Sequence, residues 1–130
     1  MSECVIDTSA VMAYLNDEAG ADLAEEWLEK GAAISALCVQ ETITNLVRRN
    51  VDRDSALEMI EALGLEVHIL DLDLAVDAGT LIALTRSKGL SHGDRACLAL
   101  ARQLQRPALT ADTAWADIAE DVGVDVLLIR

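Results

Sequence analysis

Val5-Ile6-Asp7-Thr8-Ser9-Ala10 runs two β-branched apolar residues straight into a carboxylate and two hydroxyls. Val and Ile favour a strand packed on both faces. A strand that reads as buried therefore ends in an acid. Two readings fit. Asp and Ser start helices well, so the acid would cap the helix that follows. Alternatively, the strand end holds the carboxylate where a ligand can reach it.

Outward from this stretch, strand and helix patterns alternate. Residues 4–7 read as a short strand. Helical spacing starts at Ser9, with Val11, Met12, Tyr14 and Leu15 on one face. A second helix is expected over about 21–30, stopped by Gly31. Residues 32–35 are a weak strand, and a helix over roughly 37–49 follows. Asp52 or Asp54 can cap a fourth helix. Residues 65–70 alternate as a strand does, and 72–87 carry strong helical spacing. Ser91 can cap a helix running to about Gln105. Residues 107–110 form a strand opened by the only proline, a short helix falls around 113–120, and 124–129 complete the set. Strands joined by helical crossovers must be mainly parallel. The expected fold is therefore a three-layer α/β/α domain around a central five-stranded sheet. No linker, repeat or low-complexity segment divides it, so 1–130 reads as a single domain.

Composition narrows the function. Hydrophobic residues make up 52% of the 130, ample for one core without disulfides or structural metal. Aromatics are 2%, too few for a base-stacking platform. No apolar run approaches a membrane span, and no basic leader is visible. Cys4, Cys38 and Cys97 sit apart in apolar segments, as buried reduced thiols of a cytoplasmic protein would. The net charge of −13 argues against nucleic acid when taken whole. Its distribution qualifies this. Residues 86–110 carry Arg86, Lys88, Arg95, Arg102 and Arg106 against Asp94 alone.

In an open parallel sheet, ligands bind beyond the carboxyl ends of the strands. Asp7 ends the first strand, and Leu109-Thr110-Ala111-Asp112 ends the fourth. Asp94 opens the helix after Ser91, and Glu41 falls early in the third helix. Four acids from four segments therefore meet on one rim. Each has a bland reading as a cap or a solvated helix residue. Together they repel, and burying them is costly. A divalent cation would offset both effects, and hard oxygen donors favour Mg²⁺ or Mn²⁺ over zinc.

V-I-D-T-S-A, Q-E-T-I-T-N-L, L-S-H-G-D-R-A-C-L-A-L-A and L-T-A-D-T-A-W, in this order, resemble the PIN-domain ribonucleases. The resemblance is strongest to the VapC-type toxins and covers nearly the whole chain. It implies an endoribonuclease dependent on one or two Mg²⁺ or Mn²⁺ ions, hydrolysing RNA to 5′-phosphate and 3′-hydroxyl ends. It further implies a type II toxin–antitoxin pair with a VapB-like antitoxin, and a homodimer. Asp7, Glu41, Asp94 and Asp112 would be the catalytic and metal-binding residues. Glu41 would orient the attacking water or act as its base. Thr8, Ser9, Thr110 and, on a looser match, Asp117 would lie behind the metal or face phosphate. Asn45 and Arg48 extend the face of Glu41, so with Arg86 and Arg95 they are candidate RNA contacts.

Other assignments fit less well. A receiver domain would need a lysine at a strand end, and neither Lys30 nor Lys88 stands at one. A dinucleotide-binding domain would need a G-x-G-x-x-G after the first strand, and a dehalogenase-type phosphatase a D-x-D. Neither motif follows the first strand, which runs into Asp7-Thr8-Ser9. A stand-alone RNA-processing nuclease and a catalytically silent binding module of the same fold remain as alternatives.

Overall fold

The computed structural model describes residues 2–130. Its centre is β1 (Cys4–Ile6), with all three side chains buried. β2 (Ala32–Ser35) pairs on one side of it, and β4 (Ala108–Thr110) on the other. β3 (Glu66–His68) extends the sheet beyond β2, and β5 (Val126–Leu128) extends it beyond β4. The order is β3-β2-β1-β4-β5, and every pairing is parallel. β1, β2 and β4 are wholly buried, so they carry apolar runs in place of an alternating pattern.

This order positions the site. The chain steps from β1 to β2 to β3 in one direction. It then returns across the sheet to β4 and continues to β5 on the far side. Strand order reverses between β1 and β4. At such a reversal the flanking connections diverge and leave a crevice beyond the carboxyl ends. In register, Ile6 stands opposite Leu109, so Asp7 meets Thr110 at the mouth of that crevice.

The connections are α1 (Thr8–Leu15), α2 (Ala21–Lys30), α3 (Ala36–Arg48), α4 (Arg53–Glu61), α5 (Leu72–Thr80), α6 (Ile82–Thr85), α7 (His92–Leu104) and α8 (Ala119–Val122). They complete a three-layer α/β/α fold. α7 packs against β1, β2, β4, α3 and α5. Ala96 through Ala101 are buried without a break, which a helix allows only when neighbours enclose it. The three cysteines are free and buried, and burial pushes the Cys4 thiol up to about 12. Among the described residues no helix is long and apolar enough to cross a membrane.

Several boundaries differ from the sequence reading. The helix expected over 72–87 divides into α5, α6 and a 3-10 turn at Arg86–Lys88. Thr80 and Thr85 donate their hydroxyls back to the carbonyls of Asp77 and Leu81, which competes with a straight ladder. Leu74, Ala78 and Leu81 face the core, but Ile82 is exposed and so is Ala75. β3 is shorter than 65–70 and only half covered, because it is an edge strand. The 113–120 segment opens as a 3-10 turn, Thr113–Asp117, before α8. Exposed apolar side chains concentrate between Val67 and Val76, with Ile69 at 74% and Leu72 at 78% exposure.

Gly20 is set by a close approach. Its φ is +93°, and a Cβ there would lie 2.6 Å from the Ile129 carbonyl oxygen. Gly20→Ala should therefore destabilise the fold by about 1–3 kcal/mol. Urea denaturation measures this, and an unchanged midpoint would contradict it.

Candidate active site

Asp7 leaves β1 as the N-cap of α1 and is 2% exposed. Its two oxygens are treated unequally. Oδ2 accepts the Ser9 hydroxyl at 2.6 Å, the Thr110 hydroxyl at 2.9 Å and the Ser9 backbone N–H at 3.3 Å. Oδ1 is buried and has no hydrogen-bond partner among the described residues. The two hydroxyls also accept from the far strand end. Ser9 takes the Ala111 N–H at 2.9 Å, and Thr110 takes the Asp112 N–H at 3.1 Å. Each hydroxyl has one proton. With both protons directed at Asp7, the 3.1 Å between the two hydroxyl oxygens is proximity rather than a third bond.

Glu41 bridges two helix starts. Its Oε1 accepts the Thr8 hydroxyl at 2.9 Å, and its Oε2 accepts the Ser91 hydroxyl at 3.3 Å. Asp94 closes a capping box with Ser91: its Oδ2 accepts the Ser91 N–H at 2.9 Å, while Ser91 Oγ accepts the Asp94 N–H. Asp112 caps the turn that follows β4 through the Ala114 N–H. Three of the four acids are therefore caps, as the bland reading held. All four also line one cleft of about 750 Å³, at the β1/β4 crevice.

The acids sense one another. Burial pushes the Asp7 carboxyl up to about 6. The Ser9 bond opposes this, the Asp94 charge adds to it, and the Thr110 bond opposes it again. Asp94 is likewise raised by burial, against the bonds from Ser91, with the charge of Asp112 adding to the rise. Four carboxylates on one cleft wall, one of them buried and half-satisfied, are oxygen donors of the kind that fits a hard divalent cation. Among the described residues, no three such side chains are already drawn around a common point as a metal cage. They line the wall, each held by its own element.

Other candidates fall in different places. Thr8, Ser9 and Asn45 line the cleft, and Thr110 stands behind Asp7. One stripe of α3 continues the wall: Glu41, Thr44, Asn45 and Arg48, with Arg49 just after the helix. The basic segment does not reach it. Arg95 is buried, donating to the Leu90 carbonyl at 2.8 Å and pairing with His92 Nδ1 at 3.0 Å. Arg86 lies in the 3-10 turn after α6, outside the cleft lining. Asp117 also lies outside it and pairs with Lys88 at 2.9 Å. Arg95 and Arg86 are thus not at the carboxylate cleft, because the face of α7 that carries Arg95 turns toward α5, beside Ala75, Ala78 and Gly79.

Sequence reading missed Gly93. A Cβ there would collide with the Glu41 carboxylate, so glycine lets α7 approach α3 beside that acid. It also missed Glu18, Arg49 and Arg130, which share the lining. Only the three-dimensional fold brings these to the cleft.

The sequence pattern of the PIN domain matches residues 4–121. The chain belongs to the PIN domain family. Compared with curated proteins, the sequence finds no match. Solved PIN-like structures are similar over nearly the whole chain. A toxin–antitoxin complex from Klebsiella pneumoniae superposes with a TM-score of 0.72 at 19% identity, covering 98% of each chain. A DNA-bound VapBC from Salmonella typhimurium gives 0.74 at 18%, covering 100% of each. VapC20 of Mycobacterium tuberculosis, a sarcin-ricin loop cleaving toxin, gives 0.69 at 18%, covering 88% of this PIN domain and 93% of that chain. At these identities the likeness is one of fold.

Two outcomes follow for this PIN domain. An unfolded Asp titrates near 4, so between about pH 4 and 6 the folded state binds more protons at Asp7. Stability from this group is present below that window and lost as pH rises through it. Without divalent cations at about pH 7.5, Asp7→Asn should therefore be the more stable protein, by about 2–3 kcal/mol. The gap should close toward pH 4, and a gap that widens on acidification in urea titrations would contradict the burial argument. Gly93→Ala should lower the melting temperature by a few degrees, since the added methyl group pushes the Glu41 carboxylate off Thr8 and Ser91. It should displace the Glu41 carboxylate, which Mn²⁺ titration calorimetry would read as weaker binding.

Proposed function

We propose that this PIN domain is a divalent-metal-dependent endoribonuclease. The observation that carries the reading is the Asp7 carboxylate, buried at the strand reversal with Oδ1 unpartnered and three further acids on the same wall. Asp7, Asp94 and Asp112 would hold Mg²⁺ or Mn²⁺, with Glu41 beside them. When bound, the cation would lower the pKa of water and stabilise charge developing on the phosphoryl oxygens.

The chain's own groups do the rest. Ser9 and Thr110 saturate Oδ2 of Asp7, which fixes the orientation of the carboxylate and leaves Oδ1 for the site. Thr8 and Ser91 hold Glu41 from either side, so its carboxylate orients the attacking water or takes its proton. Water attacks phosphorus in line with the departing 3′ oxygen, leaving 5′-phosphate and 3′-hydroxyl ends. Asn45 and Arg48, on the α3 stripe, are positioned to bind the RNA backbone. Asp117 has no part in this scheme.

The biological role we favour is the toxin of a VapBC-like pair, acting in the cytoplasm as one domain over residues 1–130. The toxin–antitoxin complexes among the similar structures support this. A VapB-like antitoxin would insert an Arg or Lys among the four acids, and the net charge of −13 favours such a partner. The exposed apolar residues between Val67 and Val76 support a homodimer.

The test is cleavage of several RNAs by purified protein with Mn²⁺, beside Asp7→Asn. The wild type should cleave, and the variant should lose at least about a hundredfold in rate. Equal cleavage by both, or none by either, would sink the assignment. Expression of the chain should arrest growth, and co-expression of the neighbouring small gene product should relieve the arrest.

A further inference from the structure

Arg130 enters the cleft by a chain of contacts. The Ile129 N–H donates to the Thr110 carbonyl at 3.0 Å, beside the hydroxyl that holds Asp7. Ile129 is buried against Gly20, whose missing side chain makes the approach possible. The guanidinium then spends both protons of one nitrogen on the loop between α1 and α2. Nη1 donates to the Ala19 carbonyl at 2.9 Å and to the Glu18 carboxylate at 3.2 Å. Among the described residues Nε and Nη2 have no partner. Those two nitrogens form the side-on fork that suits a phosphate.

Sheet order gives the placement meaning. Arg48 and Arg49 reach the cleft from α3, which follows β2 on one side of β1. Arg130 reaches it after β5, on the far side of β4. The carboxylates at the ends of β1 and β4 lie between these two flanks. A strand of RNA crossing the acids would meet a cation on either side of them. Glu18 lines the same cleft, and the pair is open to water, with side-chain exposures of 38% and 36%. Such a pair is weak and exchangeable.

We propose that Arg130 is a phosphate-binding residue on the β5 side of the cleft, and that the Glu18 carboxylate is its resident counter-ion, displaced when the RNA backbone binds. The proposal rests on the nuclease reading for the nature of the ligand. It assigns Glu18 a gating effect on affinity through Arg130 alone.

The test measures binding of labelled single-stranded oligouridylate by anisotropy across a salt series. All proteins carry Asp112→Asn, which preserves the cap on the turn after β4 and, on the proposed reading, suppresses cleavage. Arg130→Gln should weaken binding about tenfold at low salt and lower the slope of log K against log salt by about 0.7. Glu18→Gln should tighten binding a few-fold, but not when Arg130→Gln is also present. Glu25→Gln, the same charge change on exposed α2, should have no effect. Melting temperatures within a few degrees establish that the variants are folded. An unchanged slope in Arg130→Gln, or equal effects of Glu18→Gln and Glu25→Gln, would overturn the proposal. So would a Glu18→Gln effect that persists without Arg130, or no RNA binding by the Asp112→Asn protein. Cleavage of this oligonucleotide and of several other RNAs by the wild type with Mn²⁺ is scored separately. Cleavage with an unresponsive Arg130 removes this proposal only, and absent cleavage with the expected binding pattern removes the nuclease reading only.

Discussion

The Asp7 carboxylate is the constraint around which the structure is arranged. It is a charged group buried where two strands end, and burial alone would cost several kcal/mol. Three donors on Oδ2 offset part of that cost, and they come from both sides of the strand reversal. Ser9 fixes the first turn of α1. Thr110 fixes the end of β4, and the backbone N–H groups of Ala111 and Asp112 close the set. One oxygen atom therefore coordinates the strand, the helix and the neighbouring strand that define the cleft. The other oxygen has no partner among the described residues, and it is the atom that our proposal gives to the cation.

The same principle extends to the other acids. Asp94 and Asp112 satisfy N–H groups that a helix or turn start leaves unpaired. The positive end of the helix dipole favours the charge it receives. Glu41 is held by hydroxyls from two other helix starts, in a space kept open by Gly93. Mutual repulsion is tolerated because each charge has a local partner. The hydrogen bonds show the structural reading of these residues, and the chemical reading that we propose calls on the same side chains.

This bears on how much was legible in the sequence. Signals within a few residues of one another read well: Gly31 after a ten-residue amphipathic helix, Ser91 and Asp94 as a cap, and β-branched runs for β1. The strand at 32–35 read as it stands, β1 was read one residue too long at Asp7, β4 one residue too long at Pro107, and the edge strands β3 and β5 too long at both ends. The interruption of 72–87 was hidden because its apolar spacing continues across the break, while the cause lies in threonine hydroxyls folding back on the backbone. The basic run over 86–106 was misleading in a different way. Charge in sequence says nothing of direction, and Arg95 points inward while Arg48, Arg49 and Arg130 converge from distant segments. Gly93 and Gly20 owe their identity to neighbours far along the chain.

The double use of the acids bears on how such a protein changes over time. An amide caps a helix about as well as a carboxylate does. Replacing Asp by Asn at 7, 94 or 112 exchanges one atom for a near-isostere and leaves the frame of caps standing. In metal-free conditions it also relieves repulsion. On the proposed reading, a lineage could therefore lose the reaction in a single step without losing the shape, and the surviving scaffold would stay available for other selection. The caps ask only for an oxygen acceptor at these positions, so on the proposed reading the negative charge is what the chemistry alone would maintain.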